Sequence, residues 1–440
     1  MSGNRLRARV ARSASWIILG YGASQALRLA SNLLLTRLLF PEAFGLLALI
    51  STVTLGLMLF SDVGISPSIA QSKRGDDPDF LNTAWTIQVG RGFLLWAAAA
   101  LLALPVANFY GQPDLAFYLP LAGLTLMIAG FNPTRIETAN RHLLMGRLTL
   151  LDLLSQVIGI AAMAILAVIL QSVMALILGG IIGAIAKLLL THFYLPGQTN
   201  RLRWEREATH ELFGFGKWIF LSTAFWFFAS QGDKLILGKF LTLEGLGIYN
   251  IGFFLASFPV LLGGAVTQRV MIPVYRDGAP ESRVKKLRYL MSGGPTLLLL
   301  LMALLGPWLV EVLYDDRYLQ AGAIVVVLSL VNMPSVIGTT YDQAALAAGQ
   351  SRRFFIFSAS KAVLQMTFLL IGAFQAGLIG AMVGMGIAMV LTHFVLIRLA
   401  IAQRVWDPRH DLAFAGVIAL TVLTVLNLHG GLIRVALLPG

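Results

Sequence analysis

Long apolar runs, separated by short charged or Pro/Gly breaks, fill the chain from residue 14 to residue 428. They lie at residues 14–36, 45–70, 84–108, 116–137, 149–170, 173–195, 214–238, 246–272, 289–313, 320–346, 354–374, 377–401 and 411–428. Each comes close to the roughly 20 residues that a helix needs to cross a bilayer, where hydrocarbon offers no partner to an unpaired backbone group. The pattern predicts an all-α polytopic membrane protein with about 13 transmembrane helices. The first run, Ser15 to Leu35, follows Arg5, Arg7, Arg9 and Arg12. It is longer than a signal-peptide core and has no small-residue cleavage site, so it is expected to be retained. The tail after His429 is too short for another span.

Composition agrees with this pattern. Charged residues make up 12% of the 440 positions and apolar ones 57%, against about 25% charged in soluble domains. The breaks are too short to hold a soluble catalytic domain. The absence of cysteine excludes disulfides, thiolate chemistry and Cys-ligated metals. No other metal or cofactor motif stands out. A net charge of +12 would point to nucleic acid in a soluble protein, but here the basic residues cluster in loops, where the positive-inside rule explains them. With the N-terminus placed inside, the N-terminal tail and loops 71–83, 138–148, 197–213, 273–288, 349–353 and 402–410 carry 20 Lys and Arg. The opposite side carries only Arg37, Lys239, Arg317 and Arg434. Membrane lipids, and not nucleic acid, are the expected surroundings.

The chain also repeats itself. Shifted by 202 residues, RLLFPEAFG (37–45) lies over KFLTLEGLG (239–247) without a gap, and Trp16 meets Trp218. Six helices separate the copies, so both halves enter the membrane in the same sense. This predicts an N-lobe over 1–198, a cytoplasmic linker over 199–213, a C-lobe over 214–401, and an additional helix and tail over 402–440. Two parallel six-helix lobes around a central cavity are a transporter architecture.

The segments TRLLFPEAFGLLALI (Thr36 to Ile50), SDVGISPSIAQ (Ser61 to Gln71) and DFLNTAWTIQVGRGFLLW (Asp79 to Trp96) carry a resemblance. On them the chain is similar to the Wzx-like polysaccharide flippases of the multidrug/oligosaccharidyl-lipid/polysaccharide exporter superfamily. The resemblance implies translocation of an undecaprenyl-pyrophosphate-linked oligosaccharide from the cytoplasmic to the outer leaflet of the bacterial inner membrane. It serves lipopolysaccharide, exopolysaccharide or capsule synthesis, with polysaccharide polymerase machinery as an expected partner. The family has extra helices after the twelve-helix core, and this chain stops one short of an even number.

Basic residues inside spans are expensive at mid-bilayer, at about 2.5–3.5 kcal/mol on insertion scales, so deep ones are expected to face a wet cavity or a partner. Lys217, Arg269 and Arg398 lie near the cytoplasmic interface and are expected to snorkel. Arg28 and Lys234 lie deeper, and the repeat places Lys234 one helical turn from the position of Arg28 on the same face. Together with Arg91, Arg135, Lys187 and Lys361 they form the expected cationic, substrate-binding set, with Arg28 foremost. Guanidinium forks suit the acceptor oxygens of a pyrophosphate. Asp62, Asp152 and Asp233 are candidates for ion coupling or for buried pairs that fix packing.

The glycine runs 179–183 and 380–384 are expected to pack helices closely. Pro67, Pro105, Pro133, Pro259 and Pro334 are expected to mark bends. Two other functions compete. A small-molecule exporter of the same superfamily predicts an acidic or apolar cavity. A membrane polysaccharide polymerase or transferase needs a catalytic constellation, which the scattered His142, His192, His210, His393, His410 and His429 do not provide in sequence. The chain is therefore expected not to be an enzyme.

Overall fold

The computed structural model describes residues 3–62, 64–348 and 350–437, with side chains described for all of these except 3–14, 17, 18, 213–222, 346 and 351. Lys217 and Trp218 thus lie outside the described side chains. Among the described residues the regular structure is helical: α1 Gly3–Leu38, α2 Pro41–Phe60, α3 Ile65–Gln71, α4 Pro78–Tyr110, α5 Leu115–Gly130, α6 Arg135–Arg141, α7 Met145–Leu170, α8 Val173–Tyr194, α9 Arg206–Phe240, α10 Leu243–Arg276, α11 Glu281–Leu313, α12 Gln320–Ile337, α13 Tyr341–Ala347, α14 Ser351–Ala402 and α15 Pro408–Leu437. Nine of them are long and apolar enough to cross a membrane, or ten when the bent pair α5–α6 counts as one span. The protein is a multi-pass membrane protein.

Every apolar run falls on helix, but three that read as continuous are broken. The run 45–70 divides into α2 and α3 because Gly64 takes a left-handed conformation (φ 70°) and its N–H binds the Asp62 carboxylate at 2.9 Å. The run 116–137 divides at Phe131–Thr134, where Pro133 lacks an N–H and α5 and α6 meet at 59°. The run 320–346 divides at Gly338–Thr340. By contrast, α14 joins two runs through a sharp reversal at Ala376 and Gly377 (φ 54°).

The chain forms two compact units, Met1–Ala224 and Phe225–Gly440. In the first, α7 and α8 pack through Gly159, Gly179 and Gly183. A Cβ built on Gly159 would lie 3.2 Å from the Gly183 Cα, and one on Gly179 would lie 2.2 Å from Met163 Cγ. α1 lies on α7, tied by Ser24 Oγ donating to Gln156 Oε1 at 2.8 Å. In the second unit α12 forms the core, touching α10, α11, α14 and α15. The two legs of α14 pack back to back through Gly372, Gly380 and Gly384, where an added Cβ would meet backbone of the other leg at 2.0–2.1 Å. Both glycine runs therefore serve close packing, as their spacing predicts.

The repeat holds in local structure. α1 ends at Leu38 and α9 at Phe240, and α2 begins at Pro41 and α10 at Leu243, each pair 202 apart. The caps Phe40 and Thr242 share an extended conformation (ψ 155° and 163°). The halves part where α2 stops: its counterpart α10 runs on unbroken to Arg276.

Candidate functional site

Two of the helix breaks face each other inside the first unit, and the polar residues of α4 stitch them together. Breaking a helix leaves carbonyls without intrahelical partners, and at membrane depth these must be satisfied by protein or by a wet cavity. Arg91 answers the break after α2: its Nε donates to Ser61 Oγ at 2.9 Å and its Nη2 to the Met58 carbonyl at 2.6 Å. A cation at that position also meets the negative end of the α2 dipole. Thr223 Oγ1 takes the neighbouring Leu59 carbonyl at 3.2 Å.

One turn earlier on α4, Gln88 answers the break after α5. Its Nε2 donates to the carbonyls of Asn132, Gly130 and Ala129 at 3.0, 3.2 and 3.3 Å. Trp85 Nε1 reaches the Phe131 carbonyl at 3.3 Å. This requires close approach: a Cβ on Gly130 would sit 3.0 Å from the Gln88 carbonyl oxygen. Between the breaks lies a cleft of about 270 Å³ lined by Asp62, Gln88, Arg91, Asn132, Glu137 and Lys187, among others. Lys187 Nζ pairs with Asp152 Oδ1 at 2.9 Å, and Ser66 Oγ donates to Glu137 Oε2 at 2.6 Å. The cleft presents two cations and two carboxylates, with apolar walls from Met58, Leu95 and Leu126. Interrupted helices that converge on a charged cavity are the form in which membrane transporters bind polar groups.

A sequence model of the family described as polysaccharide biosynthesis protein matches residues 34–321, more than half of the chain and all of this cleft. The chain belongs to the polysaccharide biosynthesis protein family. It is similar to the lipopolysaccharide biosynthesis protein WzxC of Escherichia coli (strain K12), with 23% identity over 411 residues, 89% of this chain and 82% of WzxC. It is also similar to the succinoglycan biosynthesis transport protein ExoT of Rhizobium meliloti (strain 1021), with 19% identity covering 87% of this chain and 78% of ExoT. Among solved structures the lipid II flippase MurJ, in an inward closed conformation, shares the fold at TM-score 0.66 with 12% identity. That likeness covers 95% of this chain and all of MurJ. An inward-facing multidrug resistance MATE family transporter of the MOP superfamily shares it at 0.60 with 16% identity over 89% and 96%.

In this polysaccharide biosynthesis protein the residues singled out from sequence separate. Arg91, Lys187 and Asp62 line the cleft, and Asp152 is the partner of Lys187. Arg135 turns away from it: the guanidinium donates to the carbonyls of His192, Gln198 (2.8 Å) and Leu195 (3.3 Å) and to Thr199 Oγ1 (3.1 Å), tying α6 to the segment after α8. Arg28 is exposed on α1 and does not line the cleft. Lys234 and Lys361 belong to the second unit. There Lys234 Nζ contacts Gln231 Oε1 at 3.2 Å and lies 5.3 Å from the Phe253 ring centroid. Asp342 acts electrostatically on Lys361. The buried Asp233 accepts from Tyr249 Oη at 2.8 Å. Among the described residues, no three His, Asp or Glu are grouped to hold a metal. Arg269 and Arg398 are exposed.

Sequence reading missed two features. One is the pair Gln88 and Glu137: Gln88 is a polar position among apolar ones, and its i, i+3 spacing to Arg91 is the signal that could have found it, whereas Glu137 is one of several polar residues in RIETANR (135–141) and carries no such signal. The second is a buried cluster at the start of α15. Asp411 accepts from Tyr341 Oη (2.7 Å) and Trp406 Nε1 (3.0 Å) and contacts His410 Nδ1 (3.1 Å) and His393 Nε2 (3.2 Å). Two of the histidines that look scattered in sequence, His393 and His410, thus converge on one carboxylate only after folding. Nearby Arg288, 2% exposed, faces Asp407 at 3.7 Å and stacks over Tyr341.

Proposed function

We propose that the protein is a flippase. It carries an undecaprenyl-pyrophosphate-linked oligosaccharide from the cytoplasmic to the outer leaflet of a bacterial inner membrane by alternating access, with its N-terminus inside. The observation that carries this reading is the cleft between two interrupted helices, with Arg91 and Lys187 on its wall, in a chain of a polysaccharide biosynthesis family. Similarity to a lipopolysaccharide biosynthesis protein and to a succinoglycan biosynthesis transport protein supports it, as does the fold shared with a lipid II flippase. A hydrated head group passing through hydrocarbon meets a desolvation penalty that fixed cations in a wet path remove. Arg91 and Lys187 are proposed to meet the diphosphate first. Arg28, Lys234 and Lys361 are proposed to bind it at later steps of the cycle, and the polyprenyl tail stays in lipid. Asp62, Asp152 and Asp233 are then proposed to set the charge balance of the path. No covalent bond is made or broken. The translocated product is handed to polymerase machinery. Only differential affinity for inward- and outward-open states drives such a cycle.

The test is reconstitution in liposomes with a fluorescent undecaprenyl-pyrophosphate oligosaccharide and an outer-leaflet quencher. Protein-dependent exchange between leaflets is expected, with Arg91→Ala and Lys187→Ala each slowing it at least about tenfold, the equivalent of 1.4 kcal/mol. Exchange equal to that of empty liposomes would overturn the proposal.

A further inference from the structure

Between α8 and α9 the chain crosses the face of α4 as an extended strap, residues 195–205. Every second amide of its last half is held. The N–H of Arg201 donates to Asn82 Oδ1 (3.0 Å), that of Arg203 to Thr86 Oγ1 (2.9 Å) and that of Glu205 to Thr83 Oγ1 (3.1 Å). Side chains add to this: Arg203 pairs with Asp79 at 3.0 Å, Glu205 with Arg74 at 2.7 Å, and Asn200 exchanges bonds with Thr134.

In extended backbone successive side chains point to opposite sides. Residues 201, 203 and 205 are bound to α4, and the alternate Leu202 and Trp204 are left 74% and 64% exposed. Two large apolar side chains held outward by a fixed backbone are a displayed surface, not a slack loop. Three features identify what covers it. The strap follows directly on α8, which is long and apolar enough to cross a membrane, so it begins where that span leaves the bilayer. The last residues of α8, Phe193 and Tyr194, are themselves 71% and 67% exposed, as aromatic residues are where a span meets the interface. Arg201, Arg203 and Arg206, all exposed, flank the apolar pair. The acids nearby are Glu205 and Asp79, each already paired, with Glu207 and Glu211 beyond on α9.

We propose that residues 201–206 are a lipid-docking strap. Leu202 and Trp204 enter the head-group layer of the cytoplasmic leaflet, and Arg201 and Arg206 bind the phosphates of anionic phospholipid. Its consequence reaches the cleft, because Asn82, Thr83 and Thr86 lie just ahead of Gln88 and Arg91 on the same helix. The bilayer surface then bears mechanically on the helix that stitches the two breaks. This inference depends on the chain spanning a membrane and not on what it transports.

The absence of cysteine makes the test direct. Leu202→Cys carries a nitroxide label, and Asp277→Cys in the exposed turn after α10 carries the control. Each is reconstituted in vesicles of phosphatidylcholine alone and in vesicles half phosphatidylglycerol. Collision with lipid-soluble oxygen is compared with collision with a water-soluble nickel chelate. The oxygen-to-nickel ratio at position 202 is expected to exceed that at 277 several-fold in the anionic vesicles, and to fall in phosphatidylcholine alone. Arg201→Gln with Arg206→Gln is expected to remove the difference between the two lipids while leaving the backbone bonds to α4 in place. A label at 202 as accessible to nickel as the one at 277 would overturn the proposal and leave the surface to a protein partner or to water. Equal immersion in both lipids would overturn the anionic-lipid assignment.

Discussion

Arg91 and Arg135 are one residue type with two jobs, told apart by what they touch. Arg91 lines the cleft and divides its donors between Ser61 Oγ and the Met58 carbonyl at the end of α2. Arg135 spends its donors on the segment 192–199, where it holds backbone in place. The two sites therefore respond differently to substitution. Arg91→Lys keeps the charge but loses the fork that reaches two acceptors at once. It is expected to cut flipping at least about tenfold while moving the melting temperature by only a few degrees. Arg135→Ala strands several carbonyls and is expected to cost about 2–3 kcal/mol of stability, with flipping lost only in proportion to unfolded protein. Melting in detergent, read beside the liposome assay, separates the two. Intramembrane charge in sequence marked both residues, because hydropathy registers that a cation is present and not which way its side chain turns.

At the scale of elements, the break between α2 and α3 depends on Gly64, whose left-handed backbone would strain any residue with a Cβ. Gly64→Ala is expected to cost about 1–2 kcal/mol and to slow flipping by displacing Asp62. Gly90→Ala is the matched control, since an added Cβ there meets nothing within 4 Å. It lies inside α4 and is expected to gain about 0.5–1 kcal/mol. Thermal melts of both variants check the pair. The helices themselves were legible, because a 20-residue apolar run has few other structures open to it in a membrane. The joints were less so. An averaged hydropathy window passes over Ser61–Gly64 and Phe131–Thr134, since the long apolar stretches of α2 and α5 before them dominate the average. The cues that fix them, a glycine with positive φ beside an aspartate and a proline after an asparagine, are short and local. The partners that make the breaks tolerable, Gln88 and Arg91, sit some 30–45 residues away from them in sequence.

At the scale of the molecule, the first unit ties the segment between α3 and α4 to distant parts of the chain by charge. Arg74 binds Asp77 and Glu205 at 2.8 and 2.7 Å, while Arg141 and His142 hold Asp76 at 3.1 and 2.8 Å. Hydrogen bonds to Glu205, then Asp77, raise the Arg74 pKa further above its ordinary value. The Arg74 hydrogen bond holds the Asp77 carboxyl below its usual range. Burial pushes Asp76 up, but its bonds with His142 and Arg141 outweigh that and leave it lowered. Carboxylates held below their unfolded pKa stabilise the fold at pH values above that pKa, and the contribution disappears as pH falls through the folded value. Arg74→Ala is expected to cost about 1 kcal/mol at neutral pH, given its partial exposure. The gap between its melting temperature and that of the parent is expected to shrink below about pH 4, where free carboxyls take up protons. A series of melts from pH 7 to pH 3 measures this; a gap constant across the series would contradict the assignment.

The two copies of the repeat begin in register and then diverge, one severed after Phe60 and the other continuing as one helix to Arg276. A helix that continues through its prolines, as α10 does at Pro259 and Pro273, keeps its two ends linked, whereas a severed one yields at its gap. One half thus has a helix linked end to end where the other has an elbow. Whatever cycle this molecule runs, the second helix of the repeat can fold at a gap in one copy and not at the matching place in the other.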